Sequence, residues 1–205
     1  LLAFLALFDA GDRVGLAAPG YPAYRHILSA LDLRPVTIPT GPETRFQPTP
    51  ALIANAGRLG PLKGLIVGHP ANPTGTALTR DELIDLVEEC QRIGATFICD
   101  EIYHGIDYGS QPVSALELSQ DVIVINSFSK YFSMTGWRVG WMVAPEPVIG
   151  AIERLAQNFT VCPPHASQIA ALAAMDCEAE LDANVAVYAV NRDLLMEELP
   201  KAGFG

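Results

Sequence analysis

The chain has 205 residues, half of them apolar, and a net charge of −10. That length and apolar content suffice for one sizeable core; the even spread of charges argues against disorder, and the acidic balance argues against binding a nucleic-acid phosphate backbone. No apolar run reaches the ~20 residues of a membrane-spanning helix, so neither nucleic acid nor membrane is an expected partner.

In chain order, Leu1–Phe8 is an apolar run with no basic residue before it and no small-residue cleavage site after it, which predicts a buried helix and not a signal peptide. Arg13–Ala17 reads as a short strand, Tyr21–Leu31 as a helix, Pro35–Ile38 as a second strand and Pro39–Pro50 as a proline-rich surface loop. Gly64–Gly68 has no polar face and predicts a buried strand. Thr79–Ile93 carries the clearest helix signal. Thr79 and Glu82 are spaced as a capping box, Leu83, Val87 and Cys90 share one face, and Gly94 follows as a stop. Further strands are predicted at Ala95–Cys99, Val122–Asn126 and Val139–Val143, helices at Pro147–Phe159 and Ala166–Met175, and a long last helix from about Leu181. Apolar strands separated by helices predict an α/β fold: a mostly parallel sheet with helices on both faces, whose ligands bind at the carboxyl ends of the strands.

The cysteines are Cys90, Cys99, Cys162 and Cys177. None are spaced as a C-x-x-C pair and no histidine set completes a metal site, so no metal is expected. Cys90 and Cys99 fall on apolar faces and read as reduced core thiols, which points to the cytoplasm.

Polar clusters follow the predicted strands: Ala18-Pro-Gly-Tyr-Pro-Ala-Tyr24, His69-Pro-Ala-Asn-Pro-Thr-Gly75, Asp100-Glu-Ile-Tyr-His104, and Asn126-Ser-Phe-Ser-Lys-Tyr131 with Gly136-Trp-Arg-Val-Gly140 behind it. The lysines are only Lys63, Lys130 and Lys201, against ten arginines. Lys63 precedes a strand and Lys201 lies near the end, so both read as solvated. Lys130 follows an apolar strand. Desolvation lowers a lysine's pKa below the ~10.4 of the free amine, and a neutral amine can attack an aldehyde and later act as a base. Taken alone, a lysine after a strand is more often a surface residue, and Asn72 before Pro73 more often a plain turn residue.

Asn72-Pro-Thr-Gly75, Asp100-Glu-Ile-Tyr103 and Ser127-Phe-Ser-Lys130, with Arg138 eight residues on, resemble the class I/II aminotransferases among the fold-type I pyridoxal-phosphate enzymes. The resemblance runs over nearly the whole chain in the family's order. It implies an aminotransferase that moves an amino group between an amino acid and a 2-oxo acid on pyridoxal 5'-phosphate, working as a homodimer. Lys130 would hold the cofactor as a Schiff base and move the substrate proton. Asp100 would pair with the pyridine nitrogen, Asn72 and Tyr103 would donate to the ring's phenolic oxygen, and Ser127, Ser129 and Arg138 would bind the phosphate. Arg138 is placed in an apolar segment, where an unpaired buried charge is the unattractive alternative. Tyr21 would stack on the ring, and Tyr24 could support Asp100. His69, His104 and His165 take packing or supporting places, and Asn72–Pro73 and Ala18–Pro19 are expected to be cis.

The same resemblance implies that residues 1–180 form the large cofactor-binding domain and that residues 181–205 begin the helix leading to a small domain. The family's phosphate loop and N-terminal arm would precede residue 1, and the arginine gripping the substrate carboxylate would follow residue 205. Residues 1–205 alone are therefore expected to be a poor enzyme. Two other readings share the scaffold: a pyridoxal-phosphate lyase or synthase, and an aminotransferase-like ligand-sensing domain of a transcription regulator.

Overall fold

The computed structural model describes residues 1–109 and 111–204. The central strands are apolar on both faces because both faces are covered. In β3 (Gly64–Gly68), Leu65 and Val67 point to one layer and Ile66 to the other. β4 (Thr96–Asp100) repeats this with Phe97 and Cys99 against Ile98. One layer holds α3 (Pro50–Gly57) and α4 (Arg80–Ile93), which contribute Ile53, Leu83, Leu86, Val87 and Cys90. The other holds α1 (Leu2–Leu7) and α2 (Pro22–Ala30), with Phe4 and Leu28 packed on Val14, Leu16 and Ile123. With β1 (Arg13–Ala18), β2 (Arg34–Pro39), β5 (Ile123–Ser127) and β6 (Gly140–Val143), the six-stranded sheet has the order β2-β1-β3-β4-β5-β6. Its first five strands are parallel, and β6 runs antiparallel to β5. This is the mostly parallel α/β sheet that the sequence predicts. After β6 come α5 (Glu146–Phe159), α6 (His165–Ala174) and α7 (Glu178–Lys201).

Differences from the sequence reading are local. Ala95 lies in the turn that closes α4, since Gly94 is left-handed (φ 68°) and the Ala95 amide returns to the Cys90 carbonyl at 2.9 Å; β4 therefore starts at Thr96 and ends on Asp100. α3 was not foreseen, because its apolar stretch is short. Its signals are Thr49 as N-cap, accepting from the Leu52 amide at 3.4 Å, and Pro50 at the first helical position. The Pro39–Pro50 loop contains a 3-10 turn at Pro42–Thr44. The last helix begins at Glu178, ahead of Leu181, the one buried residue along it. In the Leu1–Phe8 segment only Ala3 and Phe4 are fully buried. Among the described residues no helix is long and apolar enough to cross a membrane, and no cluster of His, Cys, Asp and Glu could hold a metal.

The capping box of α4 is formed: the Glu82 amide donates to Thr79 Oγ1 at 3.3 Å and the Thr79 amide to Glu82 Oε2 at 2.7 Å. Thr79→Ala should cost about 1 kcal/mol and lower the thermal midpoint with no change in ligand binding, because neither Thr79 nor Glu82 lines the strand-end cavity described below. An unchanged midpoint would show that tertiary packing alone holds this helix end.

Candidate active site

Parallel strands deliver their following loops to one edge of the sheet. An antiparallel β6 begins at that same edge, so Arg138 arrives beside the loops after β1, β3, β4 and β5, with Gly140 paired to Ser127. Here lies a cavity of about 450 Å³. Tyr21, Asn72, Asp100, Tyr103, Ser127, Ser129, Lys130 and Arg138 all line it, so each residue singled out from the sequence is brought to one place.

Asp100 ends β4 and points into this cavity. Tyr24 Oη donates to its Oδ2 at 2.5 Å and the Ile102 amide to its Oδ1 at 3.2 Å. Burial raises the carboxyl above its ordinary range, partly offset by these donors and by Lys130. Burial, with Asp100 next, also pushes the Tyr24 phenol upward, so it stays a donor. Asn72 Nδ2 donates to Tyr103 Oη at 3.3 Å, and Lys130 Nζ lies 5.4 Å from the centre of the Tyr103 ring. Tyr21 is 44% exposed, its ring edge-on to Tyr24. The Ala18–Pro19, His69–Pro70 and Asn72–Pro73 bonds are cis; the second was not anticipated.

The Lys130 turn is anchored by Phe128, buried against Phe132 and Trp141. The Ser129 amide donates to Ser127 Oγ at 3.0 Å, which leaves the Ser127 hydroxyl proton free to donate elsewhere. Thr135 Oγ1 donates to the Ser129 carbonyl at 2.7 Å, and Arg138 Nη1 to the Thr135 carbonyl at 3.0 Å. Arg138 is exposed and so is Trp137, so the expected apolar burial of this segment is not observed. The guanidinium lines the cavity, and that bond uses only one of its five N–H donors. β6 is an edge strand, which explains the exposure.

The sequence reading missed Thr135, which ties the serine turn to Arg138. Its only signal is a hydroxyl between two such motifs. Glu101 was also missed. It is 3% exposed and accepts from Ser114 Oγ and the Ala115 amide, each at 2.8 Å, thereby fixing the segment beyond the Tyr103 loop. His69 is buried; the Leu78 amide donates to its Nδ1 and its Nε2 donates to the Val113 carbonyl, both at 3.0 Å. Burial lowers its pKa and keeps it neutral, a structural pin between loops. His104 packs edge-on to His69, whereas His165 is exposed at the start of α6.

The donor set suits a flat, phosphorylated pyridine aldehyde. It offers a buried carboxylate for a ring N–H, an amide and a phenol for a ring oxygen, an amine for the aldehyde, and hydroxyls with a guanidinium for a phosphate. Removing Tyr24's hydroxyl tests how Asp100 is held. Tyr24→Phe should cost about 2 kcal/mol, read as a lower thermal midpoint, because it strips a donor from a buried carboxyl. An unchanged midpoint would mean that water replaces the phenol.

Comparison with known proteins agrees with this geometry. Residues 1–205 match the family described as "Aminotransferase class I and II". The valine–pyruvate aminotransferase of Mycobacterium tuberculosis is 50% identical over 207 residues, covering 99% of this chain and 53% of that protein. A solved chain from Silicibacter pomeroyi, assigned as an aminotransferase, is 61% identical with a TM-score of 0.94, over 99% of this chain and 54% of that one. The aspartate aminotransferase of Thermus thermophilus, solved with maleate, is 30% identical with a TM-score of 0.90, over 98% and 54%. The chain thus spans about half the length of the relatives it matches. Motifs, sheet order and these likenesses agree, and the chain belongs to the class I and II aminotransferase family.

Proposed function

We propose that the whole protein is a pyridoxal-phosphate-dependent aminotransferase that passes an amino group from an amino acid to a 2-oxo acid. The observation that carries this is the presence of Asp100 and Lys130 in one cavity, with Asn72 and Tyr103 alongside and Ser127 and Arg138 lining it too. When bound, pyridoxal 5'-phosphate supplies an aldehyde for amine exchange and a ring that takes up electrons from substrate Cα. Lys130 Nζ anchors it and then moves a proton at substrate Cα. Asp100 holds a proton at the pyridine nitrogen. Asn72 and Tyr103 donate to the phenolic oxygen, and Tyr21 covers a ring face. Ser127, Ser129 and Arg138 hold the phosphate.

Residues 1–180 are then the large domain, and α7 continues from it with Leu181 as its buried foothold. Supporting a homodimer, large apolar side chains stand exposed, among them Trp137 next to Arg138, Trp141 next to Gly140, and Phe159 at the end of α5. Buried free thiols at Cys90 and Cys99 support a cytoplasmic setting. Valine with pyruvate is the first donor–acceptor pair to test, because the Mycobacterium tuberculosis relative carries that name. Full-length protein with the cofactor should form alanine and a 2-oxo acid in equal amounts from an aliphatic donor and pyruvate. Donor consumption that runs well past one equivalent per bound cofactor without any acceptor would refute transamination in favour of a lyase.

A further inference from the structure

Tyr131 directly follows Lys130, yet its side chain belongs to two other elements. Its ring lies on Gly105, where a Cβ would sit 2.7 Å from Tyr131 Cδ2, and Gly105 has φ +89°. A larger residue there meets both steric and backbone strain. Gly105 is two residues beyond Tyr103, whose ring faces Lys130 Nζ. At its other end, Tyr131 Oη donates to Asp182 Oδ1 on α7 at 2.7 Å, across 51 residues of sequence. Asp182 adjoins Leu181, the buried foothold of α7. The bond to Asp182, with burial second, pushes the phenol up to about 12, so it remains a donor at neutral pH.

We propose that Tyr131 is a positioning residue: its ring on Gly105 and its hydroxyl on Asp182 clamp the Lys130 turn between the Tyr103 loop and α7, and so set where Lys130 Nζ reaches. This rests on the function proposed for Lys130. A clamp of this kind acts on the proton step more than on substrate capture, since small displacements of a reacting group are costly in rate.

The test uses full-length enzyme. Tyr131→Phe, which keeps the ring on Gly105, and Asp182→Ala should each lower kcat roughly tenfold while KM for the amino donor stays within about twofold. The kinetic isotope effect with a Cα-deuterated donor should rise, as proton transfer becomes limiting. Asp182→Asn keeps an acceptor oxygen and should restore the wild-type rate. The double variant Tyr131→Phe/Asp182→Ala should be no worse than either single one. In cofactor-free protein, amide exchange of residues 128–134 and 103–107 should quicken in Tyr131→Phe and Asp182→Ala but not in Asp182→Asn. Wild-type kcat and exchange in Tyr131→Phe would overturn the proposal. So would a fall in kcat and thermal midpoint with a rise in KM in all three single variants, which marks packing alone. If wild-type Lys130 carried no cofactor, the function proposed above would fail, while the exchange result would still decide the clamp.

Discussion

Lys130→Ala in the full-length protein should still bind pyridoxal phosphate, but transaminate at least about 10³-fold more slowly. The fold gives no other lysine a route to the chemistry. Lys63 is exposed just before β3, at the opposite edge of the sheet from the cavity. Lys201 closes α7 and is bonded to Glu197 and Glu198 at 2.9 and 2.8 Å. Asn72, Asp100, Ser127 and Arg138 remain to hold a cofactor when the amine is removed. The variant should melt like the parent protein, because the anchors of the turn are Phe128 and the Ser127–Ser129 bond and not the lysine side chain. Near-normal turnover in Lys130→Ala would assign the chemistry to another amine.

The second large effect has opposite signs with and without cofactor. Burial raises the Asp100 carboxyl above its ordinary value. A carboxyl raised on folding contributes stability below its unfolded pKa of ~3.9, and that contribution is lost as pH rises through the folded value. Cofactor-free protein therefore carries a penalty for the Asp100 charge at neutral pH. Asp100→Asn should raise the thermal midpoint of cofactor-free protein at pH 7, and the difference should shrink in acid. With cofactor the outcome inverts: the ring N–H loses its carboxylate, and turnover should drop roughly 10²–10³-fold. A variant that is less stable than wild type without cofactor and equally active with it would contradict this account of Asp100.

The strand-end loops were legible in the sequence because parallel strands with apolar faces leave their carboxyl edge as the place where Asn72, Asp100 and Lys130 can meet. Helix α4 was legible because Thr79, Glu82 and Gly94 mark both of its ends within the chain itself. Direction was not legible for β6. A short apolar strand carries no mark of whether it runs parallel, and the exposure of Arg138 follows from its lying on an edge strand. Contacts across long separations were also hidden. The Tyr24–Asp100 bond is implied only by the family resemblance, and Tyr131–Asp182 has no signal in the sequence, because each is made by side chains whose approach depends on the finished packing.

The most direct measurement is to reduce full-length protein with borohydride in the presence of pyridoxal phosphate, digest it, and locate the cofactor by mass spectrometry. The reduced cofactor should be found on the peptide containing Lys130 and absent from those containing Lys63 and Lys201. Cofactor on either of those other peptides, or on none, would contradict Lys130 as the residue that holds it.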